Sequence, residues 1–144
     1  MIYKYLVFPL LILGASVEAA TDYTISQDNC VAWSEEVVSG DYSYSFTPAI
    51  AYNGGLQLSF SALNMKGKPQ DEIDTIIKAE VNGKMVSFAV QGHGPTLIFR
   101  PQDKSDTMSI LEAATTGSLA FNKIVFKTGG TKRIVNYLFA QCKE

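Results

Sequence analysis

The chain has 144 residues, 47% of them apolar and 18% charged, with a formal net charge of -2. That length fits one domain with a real hydrophobic core, and the composition is that of a globular protein rather than a disordered one. The charge lacks the positive excess of a nucleic-acid binder.

The first residues read MIYKYLVFPLLILGASVEAA, with Lys4, an apolar run from Tyr5 to Leu13, and small residues before Thr21. This pattern predicts a signal peptide over residues 1–19, cut after Ala19 so that Val17 and Ala19 fill the small pockets of a signal peptidase. The run is too short to span a bilayer. Cys30 lies too far from the cut to carry a lipid. Residues 20–144 are then a single periplasmic or secreted domain. The two cysteines, Cys30 and Cys142, are expected to pair in an oxidising compartment; two free buried thiols are the alternative. The bond would close a loop of about 110 residues, worth roughly 4–5 kcal/mol in the chain-entropy model before strain reduces it. No asparagine stands in an N-x-S/T sequon, which points to a bacterial source rather than a glycosylated eukaryotic one.

Alternation with period two marks the strands. In Asp41–Phe46, Tyr42, Tyr44 and Phe46 face one way and Ser43 and Ser45 the other. In Leu56–Ala62, Leu56, Leu58, Phe60 and Ala62 alternate with Gln57, Ser59 and Ser61. Asn53-Gly54-Gly55 between them predicts a hairpin with a loose loop. Met65–Gln70 reads as a loop and leads into the acidic run Asp71–Asp74. Asn82-Gly83 is the clearest turn signal, because both residues tolerate the positive φ that a type I′ turn requires twice. A two-residue loop there sets Ile77 opposite Phe88 and Ala79 opposite Val86 on the buried face, with Lys78 opposite Ser87 on the other. Thr96–Arg100 follows as a strand. One helix is expected between Asp106 and Thr116, capped by Ser105 or Asp106, with Met108, Leu111 and Ala114 or Thr115 inward and Gly117 at the C′ position. Leu119–Lys127, with a bulge near Asn122 or Lys123, and Arg133–Phe139 read as closing strands around Gly129-Gly130. The predicted fold is therefore mainly β (α+β): an antiparallel sandwich or curled sheet of about seven or eight strands with one short helix.

No catalytic residue is assigned. His93 is the only histidine and sits in a Gln91–Pro95 loop, without a G-x-S-x-G serine to serve. Flanked by glycines, it is expected to be loosely held. The carboxylate groups Glu35/Glu36 and Asp71/Glu72/Asp74 are neighbours along the chain, so on a strand or loop they point apart rather than flank a scissile bond. One histidine and two paired cysteines leave no transition-metal site, and no cofactor is expected. The bases of residues 81–144 number eight against four acids, the reverse of the nine acids and three bases of residues 21–80. Lys127, Lys132 and Arg133 are the candidate binding residues of that basic region, able to meet an anionic partner.

The stretch Ala79–Phe139 resembles the invasion-associated locus B family of exported bacterial proteins. The shared features are a strand with a V-N-G-K turn, the apolar strand TLIFRP, a short helix ending in glycine (MSILEAATTG) and a strand pair ending in the aliphatic-aromatic segment IVNYLF. The resemblance implies a periplasmic or secreted β-sandwich-like domain without established catalytic residues, and a link to host interaction. The function expected is that of a small exported, disulfide-stapled, non-enzymatic binding protein with a protein partner. It would neither bind nucleic acid nor span a membrane, and its oligomeric state is open. An immunity or inhibitor protein that blocks a toxin or cell-wall hydrolase is the alternative.

Overall fold

A computed structural model describes residues 21–142. The expected signal peptide and Lys143 lie outside the described residues. In chain order the elements are β1 (Tyr23–Ile25), β2 (Ala32–Ser34), β3 (Val37–Ser39), β4 (Tyr42–Ile50), β5 (Leu56–Asn64), β6 (Asp74–Val81), β7 (Lys84–His93), β8 (Thr96–Pro101), α1 (Lys104–Thr115), β9 (Leu119–Phe121), β10 (Ile124–Phe126) and α2 (Thr131–Gln141). Eight strands form one antiparallel sheet in the order β10-β9-β6-β7-β8-β5-β4-β3, and β1 and β2 form a separate ribbon. The fold is mainly β, as the alternation predicts, and of the two architectures expected it is the curled sheet.

Ring packing shows how far the sheet curls. Phe60 of β5 and Phe121 of β9 are separated by three intervening strands, yet their rings stack with centroids 4.5 Å apart. Phe88 meets Phe121 edge-on at 5.4 Å, and Phe46 and Phe126 close on Phe60 at 5.3 and 5.7 Å. These aromatics fill the interior of a nearly closed barrel, and the edge strands β3 and β10 approach one another. Offset and edge-to-face contacts of this kind add to the area that the rings bury. Ile110 and Ala114 of α1, and Ile134 and Leu138 of α2, complete the same core.

The Asn82-Gly83 hairpin forms in the expected register, with Ile77 opposite Phe88, Ala79 opposite Val86 and Lys78 opposite Ser87. Asn82 and Gly83 both take positive φ, at 49° and 85°. The β4–β5 hairpin pairs from Tyr42↔Asn64 to Ile50↔Leu56, around the predicted Asn53–Gly55 loop.

Four local expectations are corrected. First, Arg133–Phe139 lies within α2 and is not a strand. The buried residues are Thr131, Ile134, Val135 and Leu138, a spacing of three and four that belongs to a helix face. The β-branched pair Ile134-Val135 mimics a strand when read by propensity alone. Second, Asn122 and Lys123 make no bulge. Both take positive φ (47° and 71°), and Phe121 pairs directly with Ile124, so they form a tight two-residue turn. Third, α1 turns Ala114 and, half-buried, Leu111 inward as expected, but Ile110 takes the buried place expected of Met108, which is exposed. Asp103 stands at its N-cap position instead of Ser105 or Asp106.

Fourth, the expected Gln91–Pro95 loop is a Gly94-Pro95 turn: Gln91, Gly92 and His93 belong to β7, paired with Ile98, Leu97 and Thr96, and the segment is firmly held. The Gln70 amide donates to the Gly94 carbonyl at 2.6 Å, and the Gly94 amide donates to Asp71 Oδ1 at 2.6 Å. A Cβ on Gly92 would lie 1.5 Å from the Gln70 carbonyl oxygen, so only glycine admits the crossing of these two segments.

Candidate functional site

The two faces of the β4-β5-β8 region differ in kind. Inward go Phe46, Leu58, Phe60 and Phe99. Outward, one period-two step away, go Thr47 and Ala49, Gln57, Ser59 and Ser61, and Ile98 and Arg100. Pairing aligns Ser45, Ser61, Ile98 and Gln91 in a row across four strands, and Arg100 stands beside Ala89 in the next. Short hydroxyl side chains leave this surface low.

The ribbon raises a wall along one side. Past the β3 pairing, the free edge of β4 is taken up by three contacts. Ser34 Oγ accepts from the Phe46 amide at 2.9 Å, Val31 bridges Ala49, and the Ile50 amide donates to the Cys30 carbonyl at 2.8 Å. The turn before β2 is self-bonded: Ser26 Oγ and the Cys30 amide donate to Asp28 Oδ1 at 2.6 and 3.0 Å. The Ser26 hydroxyl first, then the Cys30 amide, hold the Asp28 carboxyl below its ordinary value. The Cys30–Cys142 disulfide ties this turn to the end of α2.

Sheet and wall enclose a groove of about 460 Å³ lined by Asp28, Val31, Thr47, Ser59, Ser61 and Arg100, with Tyr52 at its rim. Arg100 is its one cation. Arg100 Nη1 donates to Gln91 Oε1 at 3.0 Å, whereas Arg100 Nε is buried with no hydrogen-bond partner. A buried donor of a charged group left unpaired is costly, and such groups are rare enough in folded proteins to call for an explanation. Tyr52 is 97% exposed.

The residues singled out in the sequence lie elsewhere. Lys132 and Arg133 are exposed on the first turn of α2, and Lys127 Nζ sits 3.4 Å from Glu35 Oε1 with both side chains open to solvent. Part of the basic region is thus offset by the acidic half, through an exposed pair worth little to stability. His93 is exposed at the end of β7. Glu36 accepts from Ser43 Oγ at 2.5 Å and Asp71 holds the Gly94 amide, so these carboxylates serve local structure. Among the described residues no cluster of three or more His, Cys, Asp or Glu side chains is placed to hold a metal ion, and no helix is long and apolar enough to cross a membrane.

Sequence reading missed the groove because its lining comes from four separate segments. The one available cue was Arg100, a charge closing the otherwise apolar strand TLIFRP. Comparison of the chain with protein-family models, with curated proteins and with solved structures finds no match.

Proposed function

We propose that this protein is an exported, non-enzymatic binding module of the bacterial periplasm or exterior, and that it engages a protein partner through the Arg100 groove. The carrying observation is the pairing of a fully exposed aromatic, Tyr52, with an incompletely bonded arginine in one concavity. Tyrosine and arginine are enriched among the residues that dominate protein interfaces, especially where they flank a desolvated pocket. The disulfide supports an extracytoplasmic setting, because such bonds persist in oxidising compartments. The resemblance of Ala79–Phe139 to the invasion-associated locus B family extends the range of partners to a host surface.

Site-specific photo-crosslinking tests this reading in the native cell. A crosslinking residue in place of Tyr52 should yield a discrete higher-mass adduct, and the same residue in place of Lys78, on the outer face of β6, should not. Adducts at Lys78 and none at Tyr52 would contradict it.

A further inference from the structure

We propose that Asn53 is a site of spontaneous deamidation, a covalent modification that its turn admits and that the second Asn-Gly pair, Asn82-Gly83, is built to resist. The inference goes beyond the docking role of the groove and does not depend on it. Asparagine is a labile residue, and a following glycine leaves the backbone nitrogen open to the asparagine side chain. Both pairs are exposed, so accessibility does not separate them. Hydrogen bonding does. Asn82 Nδ2 donates to the Ser118 carbonyl at 2.7 Å, and Asn82 Oδ1 accepts from the Ala120 amide at 2.7 Å. Both bonds hold the side chain toward the segment that enters β9. Ring closure would also take Asn82 out of the left-handed conformation, φ 49°, on which the hairpin turn depends.

The side chain of Asn53 is held differently. Its Oδ1 accepts from the Gly55 amide at 2.9 Å, and a Cβ on Gly55 would stand 3.1 Å from that oxygen. The side chain therefore folds forward over its own two glycines rather than toward another strand. Among the described residues Asn53 Nδ2 has no hydrogen-bond partner, so the leaving nitrogen is open to solvent. The Gly55 amide is aimed at the oxygen on which negative charge develops during attack. One bond opposes the reaction: the Gly54 amide donates to the Ala51 carbonyl at 2.8 Å. It closes an exposed turn, which can open without disturbing the sheet. The Gly54 nitrogen then gives its proton to solvent hydroxide and bonds to Asn53 Cγ. The Cγ–Nδ2 bond breaks, and Nδ2 takes a proton from water and leaves as ammonia. Water opens the resulting cyclic imide at one of its two carbon–nitrogen bonds. Breaking the bond at Cγ leaves aspartate at position 53, and breaking the bond at the backbone carbonyl carbon leaves isoaspartate. Water enters, ammonia departs and no oxidant is consumed. Either product sets a carboxylate beside Tyr52 at the rim of the groove.

Incubation of the oxidised mature protein in mildly alkaline buffer, followed by peptide mapping with mass and isoaspartate detection, tests the proposal. In the folded protein Asn53 should convert about tenfold faster than Asn82, because Asn82 must give up two hydrogen bonds and its turn conformation and Asn53 only one exposed bond. In concentrated guanidinium chloride the two rates should converge, since the hydrogen bonds that separate the sites are gone. The folded-state rate at Asn53 should rise with pH, as the Gly54 nitrogen must shed its proton, and isoaspartate should accompany aspartate. Three results would each overturn the proposal: Asn82 converting as fast as Asn53 in the folded protein, Asn53 staying intact there while the unfolded protein converts, or aspartate forming at position 53 without isoaspartate.

Discussion

The inner and outer faces of β4, β5 and β8 are built by the same strands, and they obey different rules. Inside, Phe46, Phe60 and Phe99 meet aromatic partners from distant strands, so each ring answers to several others. Outside, Thr47, Ser59, Ser61 and Arg100 form a low polar surface, and beneath it Arg100 Nε is buried without a hydrogen bond. The inner face carries the stability of the fold. The outer face has a feature that stability alone does not favour, which is why the site is placed there.

Single substitutions sharpen that contrast. Phe88→Ala removes a fully buried ring from the interior and should cost about 3–5 kcal/mol in denaturant titration. Lys78→Ala, across the same hairpin but facing out, should stay within about 0.5 kcal/mol. A loss below about 1 kcal/mol for Phe88→Ala would mean that the inner face is not the packed one.

Breaking the covalent tie tests whether the wall of the groove depends on it. The Cys30→Ser/Cys142→Ser double variant should lose roughly 2–5 kcal/mol of stability. Non-reducing peptide mapping of the exported protein should find the Cys30–Cys142 peptide, and two alkylatable thiols would contradict it.

Gly92→Ala should cost about 1–3 kcal/mol, because the new methyl group meets the Gln70 carbonyl and two backbone segments must separate. His93→Ala, one residue on and facing solvent, provides the matched control and should change little.

A smaller effect concerns Tyr23, which anchors the ribbon. Its hydroxyl shares a hydrogen bond of 2.7 Å with Thr131 Oγ1, and Thr131 in turn donates to the carbonyls of Thr128 and Ala114. Tyr23→Phe should cost about 0.5–1.5 kcal/mol. Burial pushes the phenol well above its ordinary value. The folded state therefore favours the neutral form, its contribution is whole below about pH 10, and it is lost as pH rises further. Thermal unfolding across the alkaline range should show a steeper decline in the parent than in Tyr23→Phe.

Legibility in the sequence followed how local each feature is. The Asn82-Gly83 hairpin and the β4–β5 pair were readable because turn chemistry and alternation reside in neighbouring residues. The disulfide was readable because only two cysteines exist. Helix α2 was not, because Ile134-Val135 favours a strand locally and only packing against the core selects the helical period. The turn at Asn122-Lys123 was hidden for a related reason. Asn122 Oδ1 accepts from the Glu80 amide at 2.9 Å, and Asn82 reciprocates by accepting from the Ala120 amide and donating to the Ser118 carbonyl. Two turns 40 residues apart thus stitch β6 to β9, with Asn82 φ at 49° and Asn122 φ at 47°. The groove was least legible, since segments around Asp28, Thr47, Ser59 and Arg100 meet only once the sheet has curled.

The urea-unfolding midpoint of Arg100→Met tests most directly whether the outer face is built for binding. Methionine keeps an apolar stem against the sheet and removes the unpaired donor. A midpoint equal to or above that of the parent is predicted, with the photo-adduct at Tyr52 lost. A fall equivalent to more than about 1 kcal/mol would show that Arg100 is a structural prop and would contradict the account.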